Sequence, residues 1–149
     1  MRRAKHILLW LACLTVLTTG SVKAAEPALT VKARLIWGTD DPNPNKPDIK
    51  PVDPKLAATL GKVLRWKNYY DCGGTNVTLN LNQVKKVRVS ADCELEINNL
   101  GQSRAEIKMY GKGKLVLTQK QEILVEPLVL GGPDKNDSAW FVVLSKPKP

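Results

Sequence analysis

The stretch that decides the fold runs from Val77 to Leu117, VTLNLNQVKKVRVSADCELEINNLGQSRAEIKMYGKGKLVL. Its apolar residues stand at odd positions: Val77, Leu79, Leu81, then Val87 and Val89, then Cys93, Leu95 and Ile97. Ala105, Ile107, Met109, Leu115 and Leu117 continue the series, and Thr78, Asn80, Lys86, Arg88, Glu94, Glu96, Glu106, Lys108 and Tyr110 fill the even positions. A period of two is that of a strand with one dry and one wet face. Only Val84, Leu100 and Val116 break the parity.

Opposed residues of an antiparallel pair share a face, so the parity survives a turn only when the loop has an odd number of residues. Three-residue loops at Asn82-Gln83-Val84, at Ser90-Ala91-Asp92 and around Lys112 meet that condition. The second pairs Val87 with Leu95 and Val89 with Cys93 inside. Outside, it sets Arg88 opposite Glu94 and Lys86 opposite Glu96, both opposite in sign. The third pairs Met109 with Leu115 and Ile107 with Leu117. The whole stretch reads as an antiparallel meander.

On the N-terminal side, Leu29 to Trp37 alternates as a strand with Val31, Ala33, Leu35 and Trp37 on one side. Residues 38–52 hold Pro42, Pro44 and Pro47 and read as an extended surface loop. Asp53-Pro54 is an N-cap followed by proline at the first helical position. Leu56, Leu60, Val63 and Leu64 then give one short amphipathic helix over residues 54–64. Trp66, Asn68, Tyr70 and Cys72 lie on one side of a strand that is expected to stop at Gly73-Gly74.

On the C-terminal side, Ile123 to Val125 and Leu128 to Leu130 flank Glu126-Pro127 and read as a bent or edge strand. Residues 131–138 form a polar turn. Ala139 to Leu144 is continuously apolar, which predicts a central strand covered on both faces. Residues 145–149 are a polar tail. The fold class expected is mainly β, an antiparallel β-sandwich with a meander core and the helix closing one end. A single curved sheet packed on the helix is the alternative.

Residues 1–24 have the plan of a secretory signal peptide. Arg2, Arg3 and Lys5 precede an apolar run from Ile7 to Leu17, and small residues lead to a cut after Ala24. Cys13 lies too early in that run, behind the bulky Trp10, to serve as a lipid attachment site. Residues 25–149 then form a single domain, secreted or periplasmic, with no transmembrane segment. Removing Arg2, Arg3, Lys5 and Lys23 takes Lys+Arg from 23 to 19 against an unchanged 14 acidic residues, a net charge of +5. Cys72 and Cys93 remain, and an even count in an oxidising compartment predicts a disulfide worth roughly 3 kcal/mol.

The only histidine, His6, falls in the signal, so His-dependent triads and His metal sites are excluded from the mature chain. Glu94 and Glu96 share a strand face with Lys86 and Arg88, which hold them ionised on a flat surface that is no glycosidase cleft. Asp41-x-Asn43-x-Asn45 is similar to the start of a calcium loop, but Lys46 stands where glycine is needed and Val52 where glutamate is needed. No catalytic residue, cofactor or metal is therefore expected. Acids are interleaved with the bases of the sheet, so no nucleic-acid partner is expected either. The two sequons, Asn76-Val77-Thr78 and Asn136-Asp137-Ser138, matter only in a host that glycosylates its secreted proteins.

The function expected is that of an exported, non-enzymatic module that binds or scaffolds an extracytoplasmic protein or anionic polysaccharide. Its binding surface is placed at Trp37, Asp40, Asp41, Lys86, Arg88, Tyr110, Asp134 and Asn136, on the two long loops and the polar sheet face. A small hydrolase using carboxylates and lysines is one alternative. A structural subunit joined to a cell-envelope assembly through a strand edge is the other.

Overall fold

A computed structural model describes residues 27–123, 126–133 and 138–147. Nine strands and one helix follow in order: β1 (Leu29–Thr39), β2 (Lys50–Pro51), α1 (Pro54–Gly61), β3 (Asn68–Leu79), β4 (Val84–Ser90), β5 (Cys93–Gly101), β6 (Arg104–Gly111), β7 (Lys114–Glu122), β8 (Leu128–Pro133) and β9 (Ala139–Ser145). They form a five-stranded sheet, β2-β3-β1-β9-β8, and a four-stranded sheet, β4-β5-β6-β7. Every pairing is antiparallel. The architecture is a mainly β, antiparallel sandwich with one short helix.

The main core lies between the sheets. Val31, Ala33, Val77, Leu79, Val142 and Leu144 of the larger sheet meet Leu95, Ile97, Ala105 and Ile107 of the smaller one. The odd positions of the deciding stretch are thus the inner ones, and the three parity breakers Val84, Leu100 and Val116 are all exposed. Leu81 and Leu115 are odd-numbered exceptions, exposed at chain turns.

The larger sheet is apolar on its other face too. There α1 lays Leu56 and Leu60 on Ile36, Phe141 and Val143, with Trp66 and Tyr69 filling the flank. Phe141 and Trp66 meet edge to face at 5.3 Å, and Gly38 makes room for them, since a Cβ there would come within 3.1 Å of the Phe141 ring. The helix therefore covers an outer sheet face and does not close an end of the sandwich. The reason is β9, which is buried on both sides and needs a cover for each. Asp53 caps α1 by accepting the Leu56 N–H at 3.0 Å, with Pro54 in the first turn. The helix stops at Gly61, earlier than residue 64, and leaves Val63 exposed.

Several local expectations are corrected. The strand beginning near Trp66 does not stop at Gly73-Gly74. It is continuous with the Val77 segment as β3 and pairs with β1 along its length. Cys72 and Gly73 together oppose Leu35, a bulge that Gly73 permits with φ +115°. The connection after Leu79 then crosses to the other sheet and is no hairpin, so the meander is β4 to β7 alone. Parity is preserved because the Val77–Leu79 end of β3 and the strands of the smaller sheet point their odd residues at the same core.

Each hairpin of the smaller sheet uses a two-residue turn plus one bulged residue, in place of a three-residue loop. Ser90 pairs with Cys93 and leaves Val89 extra, Gly101 pairs with Arg104 and leaves Leu100 extra, and Gly111 pairs with Lys114 and leaves Val116 extra. Gln102-Ser103 and Lys112-Gly113 have positive φ at both positions, the mirror-image turn that suits strand twist. Arg88 opposes Glu94 and Lys86 opposes Glu96, but Met109 opposes Leu117, and Leu115 moves to face Tyr110. At the ends of the proposed segments, Gly38 and Thr39 belong to β1, Lys50 and Pro51 to β2, and Ser145 to β9. Residues 1–24, expected to be a signal peptide, lie outside the described residues. Among them no helix is long and apolar enough to cross a membrane.

The inner-face assignment sets a ranking of substitutions. Ile107→Ala should cost about 2–5 kcal/mol of unfolding free energy, whereas Val116→Ala should stay within about 0.5 kcal/mol. Urea denaturation measures both, and the reverse ranking would reverse the faces.

Candidate binding cleft

Beyond Leu35 the inner face of the larger sheet carries large rings. Tyr70, Trp37 and Trp140 are direct cross-strand neighbours on β3, β1 and β9. Trp37 lies 5.9 Å from Trp140 and 6.0 Å from Tyr70 between ring centroids. The proline-rich loop folds over this row. Tyr70 Oη donates to the carbonyls of Pro42 at 2.9 Å and Asp41 at 3.3 Å. Lys46 sets its ammonium 3.9 Å above the Trp37 ring and 5.2 Å from that of Trp140, where the ring faces attract a cation.

Next to this roof the two sheets part. The opening is a cleft of about 850 Å³ with Leu35, Leu130, Trp140 and Val142 on one wall and Cys93, Met109, Leu115 and Val116 on the other. Leu115 and Val116 are 56% and 61% exposed, large apolar groups at the mouth. Asp92, Lys112 and Lys114 stand on the rim. The bulge at Val116 explains Lys114: it opposes Gly111 on the inner side, so its stem turns toward the cleft. Gly131, at φ +148°, lines the opposite lip; a Cβ there would strike the Trp140 carbonyl.

The surface expected from sequence is only partly brought together. Trp37, expected to contribute to the binding surface, is buried beneath Lys46; Trp140 is the ring that meets the cleft. Asp40 and Asp41 are engaged internally. Asp40 accepts the Lys67 N–H at 3.0 Å, and Asp41 accepts that of Asn43 at 2.9 Å, the local turn bonding that short acids favour. Lys86, Arg88 and Tyr110 do converge, around a shallow hollow of about 200 Å³ on the outer face of the smaller sheet, together with Glu94. Asp134 and Asn136 lie outside the described residues.

That outer face is internally neutralised. Glu96 accepts from Lys108 Nζ at 2.8 Å and lies 3.8 Å from Lys86, which also reaches Glu94 at 3.9 Å and sits 5.4 Å from the Tyr110 ring. The Lys108 hydrogen bond, aided by the nearby positive charges, holds the Glu96 carboxyl below its ordinary 4.5. The same bond raises Lys108.

Cys72 and Cys93 are free thiols, both half-buried against the main core, and not the expected bridge. Cys72 Sγ donates to the Tyr70 carbonyl at 3.7 Å. An even cysteine count argues for a partner but carries no information on juxtaposition, which a bridge requires. Burial pushes both thiols up, and the Asp71 charge adds to the effect at Cys72, so neither is a ready nucleophile at neutral pH. Among the described residues no cluster of His, Cys, Asp or Glu could hold a metal ion.

The Glu96–Lys108 pair makes stability depend on pH in a defined sense. A depressed carboxyl contributes above its unfolded value and loses that contribution as pH falls through the folded one. A raised amine contributes below its unfolded value and loses it as pH rises through the folded one. Wild type should therefore exceed Glu96→Gln in urea midpoint at pH 7, and the gap should close as the pH drops well below 4.5. A gap unchanged at acid pH would mean that the pair contributes nothing through its charge.

No protein-family model, no curated protein and no solved structure matches this chain, so the cleft and its rim stand on their own chemistry.

Proposed function

We propose that the protein is an exported, non-enzymatic β-sandwich module that binds an extracytoplasmic partner in the open end between its sheets. The observation that carries this reading is the cleft itself: concave, mainly apolar, with a few charges at its mouth, the usual form of a binding site. Its lining offers a protonated thiol, a carboxylate and two amines, groups suited to holding a ligand more than to turning it over. Leu115 and Val116, which cost free energy where they stand in water, gain a cover when a partner docks.

A second reading, capture of an anionic polysaccharide, is favoured by a hollow of about 390 Å³ beside α1. There Lys32, Arg34, Lys55 and Lys146 outnumber Asp53 and Glu126. Arg34 reaches Asp53 and Asp71 only at 3.8 Å, and its Nε has no hydrogen-bond partner among the described residues.

Immobilised protein challenged with a cell-envelope extract separates these readings. A component retained by wild type should be lost with Leu115→Glu plus Val116→Glu, which alter exposed positions, and kept with Lys86→Glu plus Arg88→Glu. Loss with Lys32→Glu plus Lys55→Glu instead moves the site to the hollow beside α1. Retention of nothing counts against a binding module.

A further inference from the structure

Resting on the cleft reading, we propose that the ligand is a single-chain anionic amphiphile: its hydrocarbon lies between the sheets and its acidic head meets Lys112 and Lys114. The geometry separates two environments. Leu35, Met109, Leu130 and Val142 form the apolar interior, whereas the two lysines project at the mouth, where the Lys112-Gly113 turn closes the hairpin. Neither ammonium has a carboxylate within ion-pair distance among the described residues, in contrast to Lys86, Lys108 and Lys120 on the outer face, which all do. Among the described residues Asp92 is the only acid on that rim, against the two lysines. About 850 Å³ lies within the range of small-molecule sites and exceeds what one alkyl chain of a dozen carbons fills.

The alternative occupant is an extended peptide added to the free edge of β7. The edge argues against it. Val116 is bulged out of the ladder, which breaks the regular array of donors and acceptors that an incoming strand needs. Beyond Leu117, which is packed against the core, the core-facing positions are Gln119 and Gln121, bonded to each other at 2.6 Å, so that stretch offers an added strand no apolar seat. An amphiphile needs no ladder.

Laurate, and 1-dodecanol as its uncharged counterpart, test the proposal when titrated below their aggregation limits at pH 8. The methyl NMR signals of Met109, Leu130 and Val142 serve as the readout. Laurate should shift them with one-to-one saturation and bind about tenfold more tightly than dodecanol. Lys112→Glu plus Lys114→Glu should remove that preference without changing the thermal midpoint. Equal binding of both probes, or a preference indifferent to the double substitution, overturns the anionic head while leaving an apolar cleft. If neither probe shifts the methyls, the amphiphile is overturned. Loss of the retained envelope component with Leu115→Glu plus Val116→Glu then still supports the cleft, and its survival there removes both. Shifts from an extended apolar peptide, in the absence of any from laurate, assign the cleft to a protein partner.

Discussion

The structure depends on β9 being apolar on both of its faces. Val142 and Leu144 belong to the core between the sheets, whereas Ala139, Phe141 and Val143 belong to the core beneath α1. A strand of this kind needs an interior place in its sheet and a separate cover above and below. It takes its place beside β1, whose Val31 and Ala33 face one way and Ile36 the other. The helix and the smaller sheet are those two covers. This is why one short helix suffices, among the described residues, to add a third layer to the sandwich.

The periodicity of residues 77–117 was sufficient for the class of fold and, Leu81 and Leu115 apart, for which apolar side chains turn inward. It was insufficient for topology, and the reason is physical. Alternation reports the face of a residue, and Val77, Leu79, Leu95 and Ile107 share a face whether their strands are neighbours in one sheet or lie across the core from each other. The crossing after Leu79 was therefore invisible. Charge pairing was legible where the strands were regular, as at Arg88 with Glu94 and Lys86 with Glu96. It failed to predict register at Met109 because a two-residue turn with a bulge has the same parity as a three-residue loop.

The cleft was hidden for a related reason. Its walls come from β1, β5, β6, β7, β8 and β9, and no local run of sequence records that the sheets diverge there. Two signals did exist. Val116 broke the parity next to Leu115, and apolar neighbours that cannot both face the core mark a place where one of them meets water or a partner. Lys112 and Lys114 bracketed a glycine turn without a nearby acid on their own strands. The expected loop surface, by contrast, was read from residue types that turn out to serve the loop itself: Asp41 shapes a turn within it, Asp40 ties its start to Lys67, and Trp37 seats Lys46.

The position of the last strand has a consequence for how the chain tolerates shortening. Residues 139–145 lie between β1 and β8, so the last of the described strands occupies an interior slot next to the first of them. A stop between residues 133 and 139 does not trim a margin. It takes out a plank from the middle, leaves β1 with an unmatched side and β8 without its one partner among the described strands, and strips both hydrophobic layers of their shared partition.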